Sequence, residues 1–380
     1  MTPPHVVIVC EYSTLNGGEQ SLLALLDDEI FCSSSAPRVT VLAPPDGRFA
    51  AALKTRRLAH VPLRLTDDRT RRLPREQIQR QLIETLTHLS PQLVHANSLS
   101  MGRLLGSVRG EIAACCLSHI RDIVGLSRAA VDDLNRLDRL VAVSYATRNF
   151  HVAQGVEPHK IDVIYNGVDT ARFFPAARSG RLTHELRLPD DAFLIATIGQ
   201  IGLRKGQDVL AAAALALRDE FPHVHYLLVG ERNSTKDENR LFEEQLHSRF
   251  NNAGLAARAH FLGYRADVPE LLREIDLLVH PARQEPLGRV LLEAGAAGVP
   301  IIATDVGGTK EIFPAGEAVL IAPDDPAQLA AQLAELIPDE ARRQQLGAAA
   351  RRRMMDTFAA TIAARNMWNL WQSYLAGRTS

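Results

Sequence analysis

A segment in the second half of the chain places two carboxylates between a strand and a helix. Glu285 follows the apolar strand predicted at Asp276–His280, and Glu293 comes later in the same segment. Pro286 is suited to the first turn of the helix, and Pro300 lies beyond its end. We therefore expect one carboxylate just ahead of the helix and the other about two turns along it.

This arrangement favours a site for a nucleotide diphosphate. Open α/β sheets bind ligands at the carboxyl ends of their strands, and a helix N-terminus offers free amides and a favourable dipole to phosphate. Carboxylates would repel the phosphates, so Glu285 and Glu293 should accept hydrogen bonds from sugar and ribose hydroxyls. Taken without the surrounding pattern, they are typical of a solvated loop and a helix surface.

Two cations follow the first predicted strand of the second half. Arg204 and Lys205 lie between Gly202 and Gly206, shortly after the predicted strand Phe193–Gly199. Paired cations at a strand exit can neutralise a pyrophosphate leaving group. The alternative is a pair of exposed basic residues at a helix start.

The first half offers weaker candidates. Gly17 and Gly18 follow the first strand and open a helix, where glycines let the backbone approach a phosphate or sugar closely. They do not form the dinucleotide-binding fingerprint, and such a pair alone is more typical of a turn. His119 follows the predicted strand Ala113–Leu117, and a histidine there is by itself more often structural.

Short β-rich runs alternate with amphipathic stretches throughout, which predicts an α/β protein with parallel sheets. Strands in the first half are predicted at Val6–Cys10, Val39–Ala43, Leu93–Ala96, Ala113–Leu117, Leu140–Val143 and Ile161–Ile164. Helices there are predicted at Gly18–Leu26, Arg75–Leu89 and Ala146–Gln154. Strands in the second half are predicted at Phe193–Gly199, Val224–Gly230, Ala259–Leu262, Asp276–His280, Ile301–Thr304 and Val319–Ile321.

The length of 380 residues predicts two domains, and 46% hydrophobic with 23% charged residues indicates folded cores. We expect an N-terminal domain at 1–172, a linker at 173–188, a second domain at 189–356 and a C-terminal helix at 357–380. That helix carries Trp368 and Trp371 at helical spacing, which predicts core anchors.

The charge balance argues against a nucleic-acid partner, because 43 Lys and Arg residues meet 44 Asp and Glu residues. Residues 38–80 are locally basic. This stretch is interpreted as a solvated face, with an anionic acceptor or peripheral contact with a membrane as the alternative. The four cysteines lack metal-ligand spacing and no apolar leader opens the sequence, which predicts a cytoplasmic protein.

The pattern from Glu285 to Pro300, with Gly288 between the two carboxylates, resembles the signature of the family-4 retaining glycosyltransferases. The resemblance extends through 307–311, 165–175 and 141–144, and so covers nearly the whole chain. It implies the GT-B fold, in which two Rossmann-like domains face each other across a cleft and a C-terminal helix crosses back to the first domain.

The resemblance also implies residue roles. His119 would contact the sugar and support the transition state, Lys205 would bind the donor diphosphate with Arg204 as its helper, and Arg121 is a weaker candidate. The catalytic set implied is His119, Lys205 and Glu285. The donor-binding set implied is Gly17, Gly18, Arg204, Lys205, Glu285, Leu287, Gly288, Arg289, Val290 and Glu293.

Two positions depart from the family pattern. Gln200 stands where an arginine is usual, which leaves the number of cations on the diphosphate open and increases the importance of Arg204. Leu287 stands where an aromatic residue is common, which can alter donor fit.

The expected activity is retaining transfer of a sugar from a nucleotide sugar, with uridine favoured over guanosine, to a saccharide, lipid-linked or small-molecule acceptor. Retaining family members lack a well-placed carboxylate nucleophile, which implies front-face attack. The sequence contains no Asp-x-Asp motif, so we expect no metal and no cofactor beyond the nucleotide-sugar co-substrate. The alternatives are a GT-B phosphorylase or epimerase, and a non-catalytic sugar-nucleotide-binding or assembly protein.

Overall fold

The structure is a computed structural model that describes residues 3–33, 36–232 and 236–376. Within these residues the chain forms two compact units. The first unit combines the described residues up to Gly167 with those from Ala360 onward, and the second consists of the described residues between Val168 and Ala359. The last described helix of the chain therefore belongs to the first unit.

The first unit contains a parallel seven-stranded sheet, in the described part of the chain, with the order β3-β2-β1-β4-β5-β6-β7. Its strands are β1 (His5–Val9), β2 (Arg38–Ala43), β3 (Ala59–Pro62), β4 (Leu93–Ala96), β5 (Cys115–Ile120), β6 (Arg139–Ala142) and β7 (Ile161–Val163). Its helices include α1 (Gly17–Leu26), α2 (Glu29–Cys32), α3 (Arg48–Thr55), α4 (Arg75–Leu89), α5 (Leu99–Ser107), α6 (Arg128–Asn135) and α7 (Tyr145–Ala153).

The second unit repeats this plan with a parallel six-stranded sheet, again in the described residues, with the order β10-β9-β8-β11-β12-β13. Its strands are β8 (Phe193–Ile198), β9 (Val224–Val229), β10 (Ala259–Gly263), β11 (Leu277–His280), β12 (Ile301–Thr304) and β13 (Val319–Ile321). Its helices include α8 (Arg181–Leu186), α9 (Gln207–Leu217), α10 (Asp237–Asn252), α11 (Val268–Leu272), α12 (Arg289–Ala296), α13 (Thr309–Ile312), α14 (Pro326–Leu336) and α15 (Glu340–Thr357).

In each sheet the strand order reverses beside the first strand. Strands β1 and β4 are neighbours in the first sheet, as β8 and β11 are in the second. All four are buried along their length, because helices cover both faces of a parallel sheet and leave no strand face for water. The connections on either side of such a reversal diverge and leave room for a ligand at the carboxyl ends of the strands.

Helix α16 (Ala360–Leu375) completes the hydrophobic core on one face of the first sheet. Met367, Trp371 and Leu375 join a buried cluster with β1 and α1. Trp371 is 1% exposed, whereas Trp368 is only half-buried and stacks edge-on against Phe31. Only one of the two tryptophans is therefore a fully buried core residue.

Four strand and helix predictions match the structure to the residue, namely β4, β12, β13 and α4. Strand β3 was not predicted, because it is a short edge strand whose residues are half-buried or exposed. The helix predicted at Thr357–Leu375 is α16, which ends at Leu375 as predicted but starts at Ala360. Thr357 is instead the last residue of α15, and Val168 N–H donates to the carbonyl oxygen of Phe358 between the two helices. Residues 377–380, the end of the C-terminal segment predicted at 357–380, lie outside the described residues.

The segment predicted as a linker, residues 173–188, lies inside the second unit. It contains helix α8, and Leu182 on that helix is fully buried. The carboxylate of Glu274 accepts hydrogen bonds from Ser179 N–H and Oγ–H at 2.9 and 2.6 Å. These contacts attach the segment to the second unit even though it lacks a hydrophobic repeat.

Candidate functional site

A buried polar cluster of the second unit joins Lys205, His280 and Glu285. The Nζ atom of Lys205 lies 2.5 Å from Oε2 of Glu285, and Nε2 of His280 lies 2.9 Å from the same oxygen. Glu285 is 6% exposed and His280 2%. The structure therefore places a buried carboxylate between a cation and an imidazole.

The charges of this cluster are set by their surroundings. Burial by itself would raise the pKa of Glu285, but the Lys205 charge and the His280 hydrogen bond outweigh it and hold the pKa well below its ordinary value. Burial and the Lys205 charge lower the pKa of His280, despite the opposing effect of Glu285. Glu285 is thus ionised and His280 neutral, with its Nε2–H donating to the carboxylate.

The loop after β8 and the loop after β11 meet because these strands are neighbours. Gly206 has a φ of +65°, and a Cβ atom there would lie 1.9 Å from the carbonyl oxygen of Pro281. Arg283 N–H donates to the carbonyl oxygen of Arg204 at 2.8 Å. Only glycine permits this approach at this φ, and the approach brings Lys205 to Glu285.

The loop after β12 supports Glu285 from the other side. Gly307 has a φ of +54°, and a Cβ atom at this position would lie 1.9 Å from the carbonyl oxygen of Glu285. The N–H of Gly308 donates to that oxygen at 3.0 Å. Loops from three adjacent strands therefore position one carboxylate.

Helix α12 begins at Arg289, not at Pro286 as predicted. Gly288 precedes it with a φ of +95°, a left-handed conformation through which a helix cannot continue, so Pro286 and Leu287 belong to the loop. Glu293 consequently lies about one turn into the helix. It is 7% exposed and accepts from Nε of Arg289 at 2.6 Å, which excludes the helix-surface interpretation.

A pocket beside this cluster carries several cationic side chains. Its lining includes Gln200, Arg204, Lys205, Arg283 and Gln284. Arg204 is exposed and donates from Nη1 to the carbonyl oxygen of Gln284 at 3.3 Å. The guanidinium of Arg283 also pairs with carboxylates of the same unit. Glu238 also lines the pocket, so cationic and carboxylate side chains are both present there.

Leu287 and Val290, the apolar members of the predicted donor-binding set, are 1% and 8% exposed. Together with Lys205, Glu285 and Glu293 they lie in the second unit, whereas Gly17, Gly18 and His119 lie in the first. The predicted residues thus form two groups on separate units.

In the first unit, His119 lies inside β5 and not after it, because that strand runs to Ile120. Its Nδ1 atom is 2.8 Å from Nε2 of His95 on β4. The Nδ1 atom of His95 in turn lies 2.9 Å from the indole Nε1 of Trp371 on α16. The three side chains are buried, and His119 retains 6% exposure.

Arg121 connects the chain segments around His119. Its Nη2 and Nε atoms donate to Oδ1 and the carbonyl oxygen of Asn97, and its Nη1 atom donates to Oδ1 of Asn166 at 2.7 Å. Asn97 also donates to the carbonyl oxygen of Gly18 at 3.3 Å. His119, Arg121 and Asn166 line one pocket of the first unit.

Sequence reasoning missed several polar residues at these positions. The signal that could have identified them is their position at or just after the ends of strands beside the order reversal. These residues are His95, Asn97 and His280. Glu19 follows the predicted glycine pair and is 2% exposed, and its Oε2 atom has no hydrogen-bond partner among the residues that the structure describes. Burial raises the pKa of Glu19, with Arg121 opposing the shift.

Over the described ranges, no group of three or more His, Cys, Asp and Glu side chains has the arrangement of a metal site. No helix in the described part of the chain is both long and apolar enough to cross a membrane. In the basic stretch at 38–80, five arginines form ion pairs with carboxylates of the same unit. They are Arg56, Arg64, Arg71, Arg72 and Arg75.

Two family models match most of this chain. The model described as "Glycosyl transferases group 1" matches residues 181–353, and that described as "Glycosyltransferase Family 4" matches residues 36–172. The chain belongs to the family-4 glycosyltransferases. Gln200, one of the two positions that depart from the family pattern expected from the sequence, lines the pocket beside Lys205.

Individual members of the family are similar over parts of the chain. The lipopolysaccharide core biosynthesis mannosyltransferase LpsB of Rhizobium meliloti is 29% identical over 64% of this chain and 67% of its own length. A D-inositol 3-phosphate glycosyltransferase of Salinispora tropica is 34% identical over 52% of this chain. That match spans 42% of the length of the Salinispora enzyme.

The fold is shared with solved structures. Anabaena HepE, solved in complex with UDP-glucose, matches with a TM-score of 0.86 at 23% identity, covering 97% of this chain and 99% of that chain. This likeness confirms the GT-B fold class predicted for this family-4 glycosyltransferase.

Proposed function

We propose that this chain is a retaining glycosyltransferase that moves a sugar from a nucleotide sugar to an acceptor. The observation that carries the proposal is the buried pair of Lys205 and Glu285 beside the pocket that Arg204 lines, at the edge where the strand order reverses. The pair combines a cation for phosphate with a carboxylate for hydroxyl groups. The similarity to a mannosyltransferase and to a D-inositol 3-phosphate glycosyltransferase supports the reaction class.

In the proposed reaction, the difficult step is departure of the nucleoside diphosphate. An ammonium has three N–H donors, so the pairing of Lys205 with Glu285 leaves donors for the phosphate oxygens. Arg204 adds a second cation from the same loop, and the N-terminal amides of α12 add a favourable dipole. Such preorganised charge stabilises a leaving group more strongly than water does.

We assign Glu293 and Glu285 to hydroxyl recognition on the donor. Glu293 has one oxygen engaged by Arg289, and a carboxylate can accept further hydrogen bonds. His119 is assigned to sugar contact and transition-state support, and Gly17 and Gly18 to a backbone that the ligand can approach closely. Retention without a carboxylate nucleophile requires the acceptor hydroxyl to attack the sugar on the face from which the nucleoside diphosphate departs, and the leaving phosphate is assigned to take the acceptor's proton.

A uridine nucleotide is proposed as the donor base, with guanosine as the alternative. The complex of HepE with UDP-glucose supports uridine, since that protein shares this fold. A thermal-shift panel of nucleotide sugars tests the choice, because a ligand that binds only the native state raises its apparent stability. The expected result is a larger shift with UDP-sugars than with GDP-sugars, and a response confined to GDP-sugars would reverse the assignment.

Transfer itself is tested with the responding donor and a panel of saccharide, lipid-linked and small-molecule acceptors. Product with the anomeric configuration of the donor, seen by NMR before it equilibrates, supports retention, and inverted product contradicts it. Binding without transfer or donor hydrolysis would favour the alternative of a non-catalytic sugar-nucleotide-binding protein. Consumption of phosphate with a glycoside, or isomerisation of the donor alone, would favour a phosphorylase or an epimerase.

Metal-independent turnover is part of the proposal, because Lys205 and Arg204 are assigned the charge-neutralising task that a divalent cation performs in other transferases. Activity should persist after treatment with EDTA. Loss of turnover in EDTA and its recovery with manganese would contradict this assignment.

A cytoplasmic location and peripheral membrane contact through residues 38–80 remain predictions. The ion pairs of that stretch leave it less cationic than its composition indicates. Co-sedimentation with anionic and zwitterionic phospholipid vesicles tests the contact. A membrane-binding surface of this kind should bind anionic vesicles and not zwitterionic vesicles. If the protein binds neither kind of vesicle, the predicted membrane contact is wrong.

A further inference from the structure

Three aromatic rings in the first unit form a continuous hydrogen-bonded chain from the last helix to the site. The indole Nε1 of Trp371 lies 2.9 Å from Nδ1 of His95, and Nε2 of His95 lies 2.8 Å from Nδ1 of His119. Trp371, His95 and His119 are 1%, 2% and 6% exposed. Water therefore has little access to the hydrogen bonds that join Trp371 to His95 and His95 to His119.

The donor capacity of each ring fixes where the protons lie. An indole nitrogen can only donate, so Nδ1 of His95 must accept and its proton must be on Nε2. That Nε2–H then donates to Nδ1 of His119, which leaves the proton of His119 on Nε2. This assignment follows from the partners of each nitrogen, as the tautomer of a histidine generally does.

A second proton on either ring would break the chain. Protonated His95 would present an N–H group to the N–H of Trp371, and protonated His119 would present one to the N–H of His95. Burial lowers the pKa of His95 to about 3 and also lowers that of His119, and the nearby Arg121 charge acts in the same direction. Both rings are consequently neutral.

We propose that Trp371 and His95 are positioning residues that hold His119 as its Nε2–H tautomer, so that His119 donates a hydrogen bond to a donor-sugar oxygen and does not act as a general base. The Nε2 atom of His119 has no hydrogen-bond partner among the described residues, and His119 lines a pocket with Arg121 and Asn166. The inference deepens the proposed function, on which its ligand contact rests.

The tautomers are measured on the full ligand-free chain, labelled with ¹⁵N in its histidine rings, by two-bond proton–nitrogen NMR at neutral pH. Both His95 and His119 should show a protonated Nε2 and a bare Nδ1. An Nδ1–H tautomer or an imidazolium at either ring would overturn the proposal. Because no donor is present, this outcome does not depend on whether the chain transfers a sugar.

Variants separate positioning from packing. Trp371→Phe keeps an aromatic ring but removes the N–H donor, and His95→Leu removes the second link. Both should give His119 a detectable Nδ1–H population. His95→Gln should retain the Nε2–H form, because its amide can accept from Trp371 and donate to His119. Trp368→Phe on the same helix is the matched control. Unchanged His119 tautomers in both Trp371→Phe and His95→Leu would refute the positioning role.

The role of His119 as a donor is tested by His119→Gln against His119→Ala. A glutamine amide can donate near the position of Nε2 but cannot serve as a base. A donor role predicts that kcat of His119→Gln stays within about tenfold of the wild type and clearly above that of His119→Ala. A general base contributes about 100-fold or more, so equal losses of that size in both variants would contradict the donor role. Predicted tautomers without any transfer activity would refute the proposed function alone.

Discussion

The Nζ atom of Lys205 lies 2.5 Å from Oε2 of Glu285, and the two side chains are 15% and 7% exposed. Their positions depend on each other, because a buried charge without its partner is costly. Lys205 therefore has a structural task, neutralising Glu285, in addition to its proposed contact with the diphosphate. Substitutions at this pair should change stability and activity together.

Lys205→Ala should lower the free energy of unfolding by about 3 kcal/mol, because it leaves the Glu285 carboxylate buried and unpaired. Turnover should fall as well. Urea titration measures the stability loss, and Lys310→Ala is the control, since Lys310 is 69% exposed in its pair with Asp305. An exposed pair of this kind contributes about 1 kcal/mol or less. Adding Glu285→Gln to Lys205→Ala should recover part of the loss, and equal stability of Lys205→Ala and the wild type would exclude the coupling.

Glu293→Gln should weaken donor binding while leaving the fold intact. The amide has nearly the same shape, but it loses the charge that strengthens hydrogen bonds to sugar or ribose hydroxyls. A loss of about 1.4 kcal/mol corresponds to a tenfold higher Kd for the nucleotide sugar. Isothermal titration calorimetry measures this, with the exposed Glu335→Gln as control. Unchanged affinity in Glu293→Gln would remove this residue from the donor site.

Gly307→Ala should destabilise the protein more than Gly263→Ala. Both positions have positive φ, +54° and +61°, but a Cβ atom has open space at Gly263 and meets the Glu285 carbonyl oxygen at Gly307. The conformational strain is therefore similar in the two variants. Gly307→Ala should lose about 1–3 kcal/mol more of its free energy of unfolding than Gly263→Ala, because its added methyl group is overpacked. Urea titration and donor KM together measure the effect. Similar stability and similar KM in the two variants would show that the Glu285 loop tolerates the methyl group.

Acidification should destabilise the protein partly through His95. Its folded pKa of about 3 lies below the ordinary value of about 6.5, so the unfolded chain binds a proton that the folded chain excludes. The contribution of neutral His95 to the free energy of unfolding is complete above pH of about 6.5 and declines as the pH falls toward about 3. Near pH 5 the free energy of unfolding is lower by about 2 kcal/mol from this cause. His95→Gln should therefore show a smaller difference in unfolding free energy between neutral pH and pH of about 5. The exposed His88→Gln is the control, and identical pH dependence in all three proteins would contradict the assignment.

The sequence could predict the arrangement of strands and helices well, because buried parallel strands are continuous apolar runs. Strands β4 and β12 and helix α4 were predicted with their exact bounds. Strand β3 was not predicted, since its stability comes from pairing with β2 and not from a hydrophobic pattern. The start of α12 was predicted too early, because proline suits a helix start and only the left-handed conformation of Gly288 excludes it here.

The amino-acid sequence alone determined which residue types could bind a nucleotide sugar and which strands precede them. Glu285, Lys205 and His119 were all predicted as site residues from their positions in the family pattern. Tertiary structure decided their state: the neighbouring strands bring Lys205 to Glu285, and α16 brings Trp371 to His95 from 276 residues along the chain. Ionisation and tautomer depend on burial and on hydrogen-bond partners distant in sequence, and a local pattern carries no information about either.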